Sequence, residues 1–130
     1  MAINWTKPRL EAVKSILHTY DAKSRQCDTA ANLIWPHAKE QDEKNACRWQ
    51  IWPKRGCGWG LAPKVSIGGR SWDWHVVVET ERHCVDALTG AAGTEAGHNA
   101  GTYIEAKFNH PECHEVSPWD GSPIITKGRR

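Results

Sequence analysis

A histidine at the head of an apolar run and a carboxylate eleven positions later, His75 and Asp86 in "WDWHVVVETERHCVDALTG", have types and a spacing that can do chemistry. If the chain reverses around Thr80 and Glu81, antiparallel partners have numbers summing to 161: Glu79 faces Arg82, Val77 faces Cys84 and His75 faces Asp86. Directly opposed side chains share one face with β-carbons about 4.5–5.5 Å apart, within hydrogen-bonding reach. A carboxylate that holds one imidazole nitrogen leaves the other free to take a proton from a nucleophile.

Cys27 is the cysteine best placed to be that nucleophile. A thiol attacks as thiolate, which is scarce at neutral pH for an ordinary pKa of ~8.5. A helix N-terminus favours the thiolate by its partial positive charge and unpaired N–H groups, which can also hold the oxyanion formed on attack at a carbonyl. Of the five cysteines, Cys27, Cys47, Cys57, Cys84 and Cys113, only Cys27 stands where the pattern starts a helix.

The elements that must position these groups follow from periodicity. Thr6 is a good N-cap with Pro8 in the first turn, and Leu10, Val13, Ile16, Leu17 and Tyr20 recur at helical spacing. "DAKSRQ" breaks that helix, and a second opens at "CDTAANLIW" with Ala30, Ala31, Leu33 and Ile34 as its apolar stripe, until Pro36 kinks or ends it. With Ser24 as cap, Cys27 is the third helical residue. "AKEQDEKN" reads as a polar connection, and "CRWQIWPKRG" alternates as a strand ending at Pro53. A short strand near Val65 and Ile67, the hairpin above, a Gly/Ala loop over 89–101 and a strand in "TYIEAKF" follow, and the rest, with Pro111, Pro118 and Pro123, reads as irregular. The order of helices first and antiparallel strands after them predicts one α+β domain over residues 1–130.

Composition narrows the function classes. A net charge of +2 with "KGRR" as the one basic cluster gives no stripe for nucleic acid, and no run reaches the ~18 apolar residues of a membrane span. Partners are therefore expected among proteins, with neither nucleic acid nor membrane. An odd number of cysteines without a C-x-x-C pair leaves at least one free thiol. Zinc is the rival use of His110, Cys113 and His114 with Cys47 and Cys57, but their spacings match no common finger pattern, and no cofactor is expected. Eight tryptophans against one Phe suit core and groove lining, with Trp52, Trp59, Trp72 and Trp74 as groove candidates.

"CDTAANLIW" followed by "WHVVV" and "CVDALTG" resembles the compact papain-fold toxin domains at the C-termini of bacterial polymorphic toxins. The resemblance rests on about 30 positions within residues 27–90. It implies a papain-like fold, with Cys27 as nucleophile, His75 as general base and acid, and Asp86 orienting His75. It also implies an oxyanion-hole role for Gln26 and a shield over the His75–Asp86 pair from Trp119. Two departures stand out: Gln26 is adjacent to the cysteine where papain's glutamine is several residues ahead, and Asp86 replaces papain's asparagine. The implied activity is a cysteine protease toxin, or a glutamine deamidase using the same attack. A toxin of this class is delivered from a bacterial producer to a target-cell cytoplasm and is bound in the producer by a cognate immunity protein.

Two other classes stay open on the residues alone. His98 in "AGHNAG", with His110 and His114, suits a metal-dependent nuclease or zinc module, though no paired acidic residues accompany them at suitable spacing. The other is a binding module without catalysis.

Overall fold

The computed structural model describes residues 3–24, 26–54, 56, 60–64, 72–94 and 100–124, with 62, 100 and 101 described by backbone alone. Helix α1 (Lys7–Thr19) starts after its N-cap Thr6, with Pro8 in the first turn and Val13 and Leu17 buried. Helix α2 (Cys27–Gln41) runs through Pro36. Proline removes one helical N–H, yet Ile34 and Ala38 on either side of it are buried, and the carbonyl of Ala38 accepts the Thr80 hydroxyl at 3.0 Å. Those tertiary contacts keep 38–41 helical where the polar composition suggests a connection.

Strand β1 (Cys47–Pro53) is as its alternation predicts. The two-residue β2 (Ala62–Pro63) follows, while the expected strand near Val65 and Ile67 lies outside the described residues. Strands β3 (His75–Thr80) and β4 (His83–Val85) form the hairpin. Its register differs from the expected one. Val78 pairs with Val85, Glu79 with Cys84 and Thr80 with His83, a shift of two positions. The turn is Glu81–Arg82, both at positive φ (49° and 63°), the conformation that suits a two-residue hairpin loop. Thr80 stays in the strand because its buried hydroxyl is tied to α2, and the Glu81 N–H donates to Asp42 Oδ2 at 2.9 Å.

Residues 102–107 of the expected strand "TYIEAKF", with 100 and 101 of the expected loop, form helix α3 (Ala100–Lys107), and only Phe108 of that stretch is in a strand, the short β5 (Phe108–Asn109). Thr, Tyr and Ile favour strands, but Glu105, Ala106 and Lys107 favour helix, and helical turns bury Tyr103, Ile104 and Phe108 together. A second correction concerns the C-terminal stretch, where His114–Pro118 forms β6. It pairs antiparallel with β1 from Trp49↔Pro118 to Pro53↔His114. Pro118 is tolerated because it ends the edge strand of a sheet ordered β4-β3-β1-β6.

Both faces of this sheet are covered. Val76, Val78 and Val85 pack with Val13, Leu17, Ala31, Ile34 and Ala38 of the two long helices, whereas Val77, Cys84 and Ile51 pack with Tyr103, Ile104 and Phe108. That explains why "HVVV" is continuously apolar and not alternating: each fully buried valine contributes about 1.5–3 kcal/mol from one side or the other. The fold is α+β. Among the described residues no helix is long and apolar enough to cross a membrane.

Candidate active site

Asp86 ends the hairpin by starting a turn. Its Oδ1 accepts the N–H groups of Leu88 (2.9 Å) and Thr89 (3.0 Å), and the turn closes at Gly90, whose φ of 74° suits glycine. That local fold aims Oδ2 the other way. It meets His75 Nε2 at 2.6 Å and also accepts the Tyr103 hydroxyl, which lies 3.1 Å from the same nitrogen. His75, Asp86 and Tyr103 are all buried.

The expected partnership of His75 and Asp86 is therefore present although its register is not. A shift of two residues keeps every side chain on its face, so Asp86 falls diagonal to His75 instead of opposite it. Burial works against a charged His75 ring, but the charge of Cys27 and the hydrogen bond to Asp86 outweigh it and raise the proton affinity to about 10. For Asp86, burial raises the carboxyl, and the His75 hydrogen bond and charge, with Tyr103 and the Thr89 amide, overcome it and hold the group below its ordinary value.

The second ring nitrogen, Nδ1, is buried and makes no hydrogen bond of ordinary geometry. His75 lies in the wall of a cavity of about 170 Å³ that Cys27 also lines, and Cys27 acts on the ring both through charge and as a side-chain hydrogen-bond partner.

Cys27 itself is half-buried. It is the first residue of α2, not the third, because Gln26 and not Ser24 is the N-cap; the Ala30 N–H donates to the Gln26 carbonyl at 3.0 Å. Ser24 instead accepts the Gln26 N–H at 3.2 Å inside a turn built on Asp21. The amides of Cys27 and Asp28 belong to the first turn of α2 and so have no acceptor within the helix. Gln26 is exposed and lines the same cavity.

No protein-family model matches this chain, and no solved structure does.

Trp74 lines the cavity, as does Trp72, whose ring centroid is 5.0 Å from that of His75. Trp119 is not among the residues that line the cavity. It is buried in the cluster under the long helices, with Arg48 5.6 Å over its ring, and the indole beside His75 is that of Trp72. Trp59 and His98 lie outside the described residues. Tyr103 is the site residue that periodicity missed, because a strand reading of "TYIEAKF" gives no reason to aim it at Asp86.

Of the residues of the zinc reading, Cys57 lies outside the described residues. Cys113 is disulfide-bonded, Nδ1 of His114 faces the His110 carbonyl at 2.9 Å, and no three metal-binding side chains cluster among the described residues.

The free thiols differ in a way that can be measured. Burial, with Glu79 adding to it, pushes Cys47 up to about 11 and Cys84 further still. A rise of two units leaves Cys47 with about 100-fold less thiolate at neutral pH than an unperturbed cysteine. Iodoacetamide followed by peptide mapping should label Cys27 first and Cys47 and Cys84 last. Preferential labelling of Cys84 would move the nucleophile away from α2.

Proposed function

We propose that this protein is a cysteine hydrolase in which Cys27 attacks an amide carbonyl of a protein substrate, His75 moves the proton and Asp86 orients His75. The observation that carries the reading is the division of the His75 ring: Nε2 is committed to Asp86 at 2.6 Å, while Nδ1 is buried with no hydrogen bond of ordinary geometry, and the ring lies in the wall of a cavity that Cys27 also lines. In the forward step the Cys27 thiolate adds to the carbonyl carbon and the oxyanion rests on the first amides of α2. The imidazolium of His75 then gives its proton to the leaving amine. Water, deprotonated by the neutral ring, hydrolyses the thioester and restores the thiol.

Peptide-bond cleavage by a papain-like toxin domain is the first form of this proposal, with a cognate immunity protein covering the cleft in the producing cell. Side-chain deamidation of glutamine is the second. It is favoured by a cavity whose walls include Trp72 and Trp74 and whose volume of about 170 Å³ suits a single side chain beside Cys27. Mass spectrometry of a target-cell lysate after exposure to the protein separates the two. New peptide termini are expected for the protease and conversion of glutamine to glutamate for the deamidase, in each case absent with the alkylated protein. A lysate altered equally by the alkylated protein would sink both.

A further inference from the structure

We propose that Tyr103 is a positioning residue of this site, whose hydroxyl fixes Asp86 Oδ2 and limits how strongly that oxygen holds the His75 proton. The catalytic meaning of the inference rests on the triad reading above; its physical content does not. Three residues meet here: the Asp86 carboxylate oxygen Oδ2, the His75 ring 2.6 Å from it, and the Tyr103 hydroxyl, which donates to it and lies 3.1 Å from His75 Nε2. They come from three separate elements, β3, the turn after β4, and α3. Nothing local requires a hydroxyl at position 103.

Packing alone would be served by phenylalanine. The Tyr103 ring is stacked on His75 at 9° with centroids 6.3 Å apart and meets Phe108 edge-on at 6.0 Å, and both contacts belong to the ring and not to its oxygen. The oxygen does something else. A donor on Oδ2 withdraws negative charge from the atom that binds the imidazole N–H, so the carboxylate becomes a weaker acceptor and the imidazolium a better acid. A base that never released its proton would be useless, because the leaving amine must be protonated as the thioester forms and the ring must then be neutral to activate water. The hydroxyl thus balances a carboxylate that would otherwise hold His75 too tightly.

The groups that face His75 and Asp86 define what else titrates nearby. They are Cys27 from α2, Cys84 from β4 and Tyr103 from α3, with Asp21 and Asp73 in the cavity wall. His114 of β6 lies beyond Phe108, whose ring sits 5.9 Å from His75 and 5.5 Å from His114. None of these donates to Oδ2 besides His75 and Tyr103 among the described residues.

The test is an NMR titration of the His75 ring in the full chain. Tyr103→Phe should move its midpoint upward by about half to one pH unit, with Cys27-dependent turnover falling about tenfold at unchanged KM. Because Phe at 103 could also loosen the fold, a second measurement grades the hydroxyl without removing it. The chain has only two tyrosines, so in a Tyr20→Phe background, ring-fluorinated tyrosine reports on position 103 alone. A more acidic phenol donates more strongly and should shift the His75 midpoint downward, opposite to the effect of Phe. A midpoint that stays put in both proteins, or moves the same way in both, overturns the proposal and leaves Tyr103 as packing. The titration reads Tyr103 even if no hydrolysis is found, whereas absent turnover in the parent protein counts against the triad reading alone.

Discussion

Cys27→Ala is expected to abolish turnover while lowering unfolding free energy by no more than about 1 kcal/mol, measured by urea titration. The asymmetry follows from where the sulfur sits. It is half-buried at the first position of α2, so its loss opens little cavity, and alanine is a better helix former than cysteine. The chemical loss is complete because among the described residues no neighbouring thiol can replace it: Cys84 is fully buried in the middle of β4, and Cys47 is raised to about 11. Activity that survives both Cys27→Ala and alkylation but is removed by EDTA would turn the assignment to a metalloenzyme.

Replacing Asp86 with alanine should do two kinds of damage at once. Turnover should fall by about 10³–10⁴-fold, less than for loss of Cys27 or His75, since an orienting group forms no bond to substrate. Stability should fall by about 3–5 kcal/mol, the usual cost of removing one member of a buried pair, because His75 and the Tyr103 hydroxyl lose a shared acceptor and the turn over 86–90 loses Oδ1. Activity assays and denaturant titration on one preparation separate the effects.

The pH dependence of stability carries the same signature. Asp86 has its carboxyl lowered by folding, so its contribution is present above the ordinary value of ~3.9 and is lost as pH falls through the lowered one. His75 is raised, so its contribution is full below ~6.5 and fades as pH climbs toward about 10. The parent protein should therefore be most stable between roughly pH 4 and 6.5, with losses on both sides, and Asp86→Ala should flatten both slopes. Unchanged slopes would mean that the His75–Asp86 pair is not what titrates.

What the sequence by itself determined is whatever depends on near neighbours along the chain. The start signal at Thr6 and Pro8, the apolar spacing from Leu10 to Leu17 and the apolar stripe after Cys27 specify two helices, but a Ser24 cap would start the second two residues too early, and only the structure puts its first residue at Cys27. The alternation in "CRWQIW" specifies β1, and the apolar run before "ETER" specifies a hairpin. Parity does the rest for His75 and Asp86: strand side chains alternate with period two, so an error of two positions in the turn still leaves both residues on one face. Tertiary structure decided what depends on distant partners. The register was chosen by the tie between Thr80 and Ala38, and continuation past Pro36 by burial of Ile34 and Ala38 on β3. The strand at His114–Pro118 exists because β1 offers it an edge more than 60 positions away in sequence, a pairing that no local pattern announces. Residues 100–107 have mixed propensities, and helix won because it delivers Tyr103, Ile104 and Phe108 together to the open face of the sheet. That same choice brings the Tyr103 hydroxyl to Asp86, so the one site residue invisible to periodicity is the one whose position depends wholly on how α3 packs.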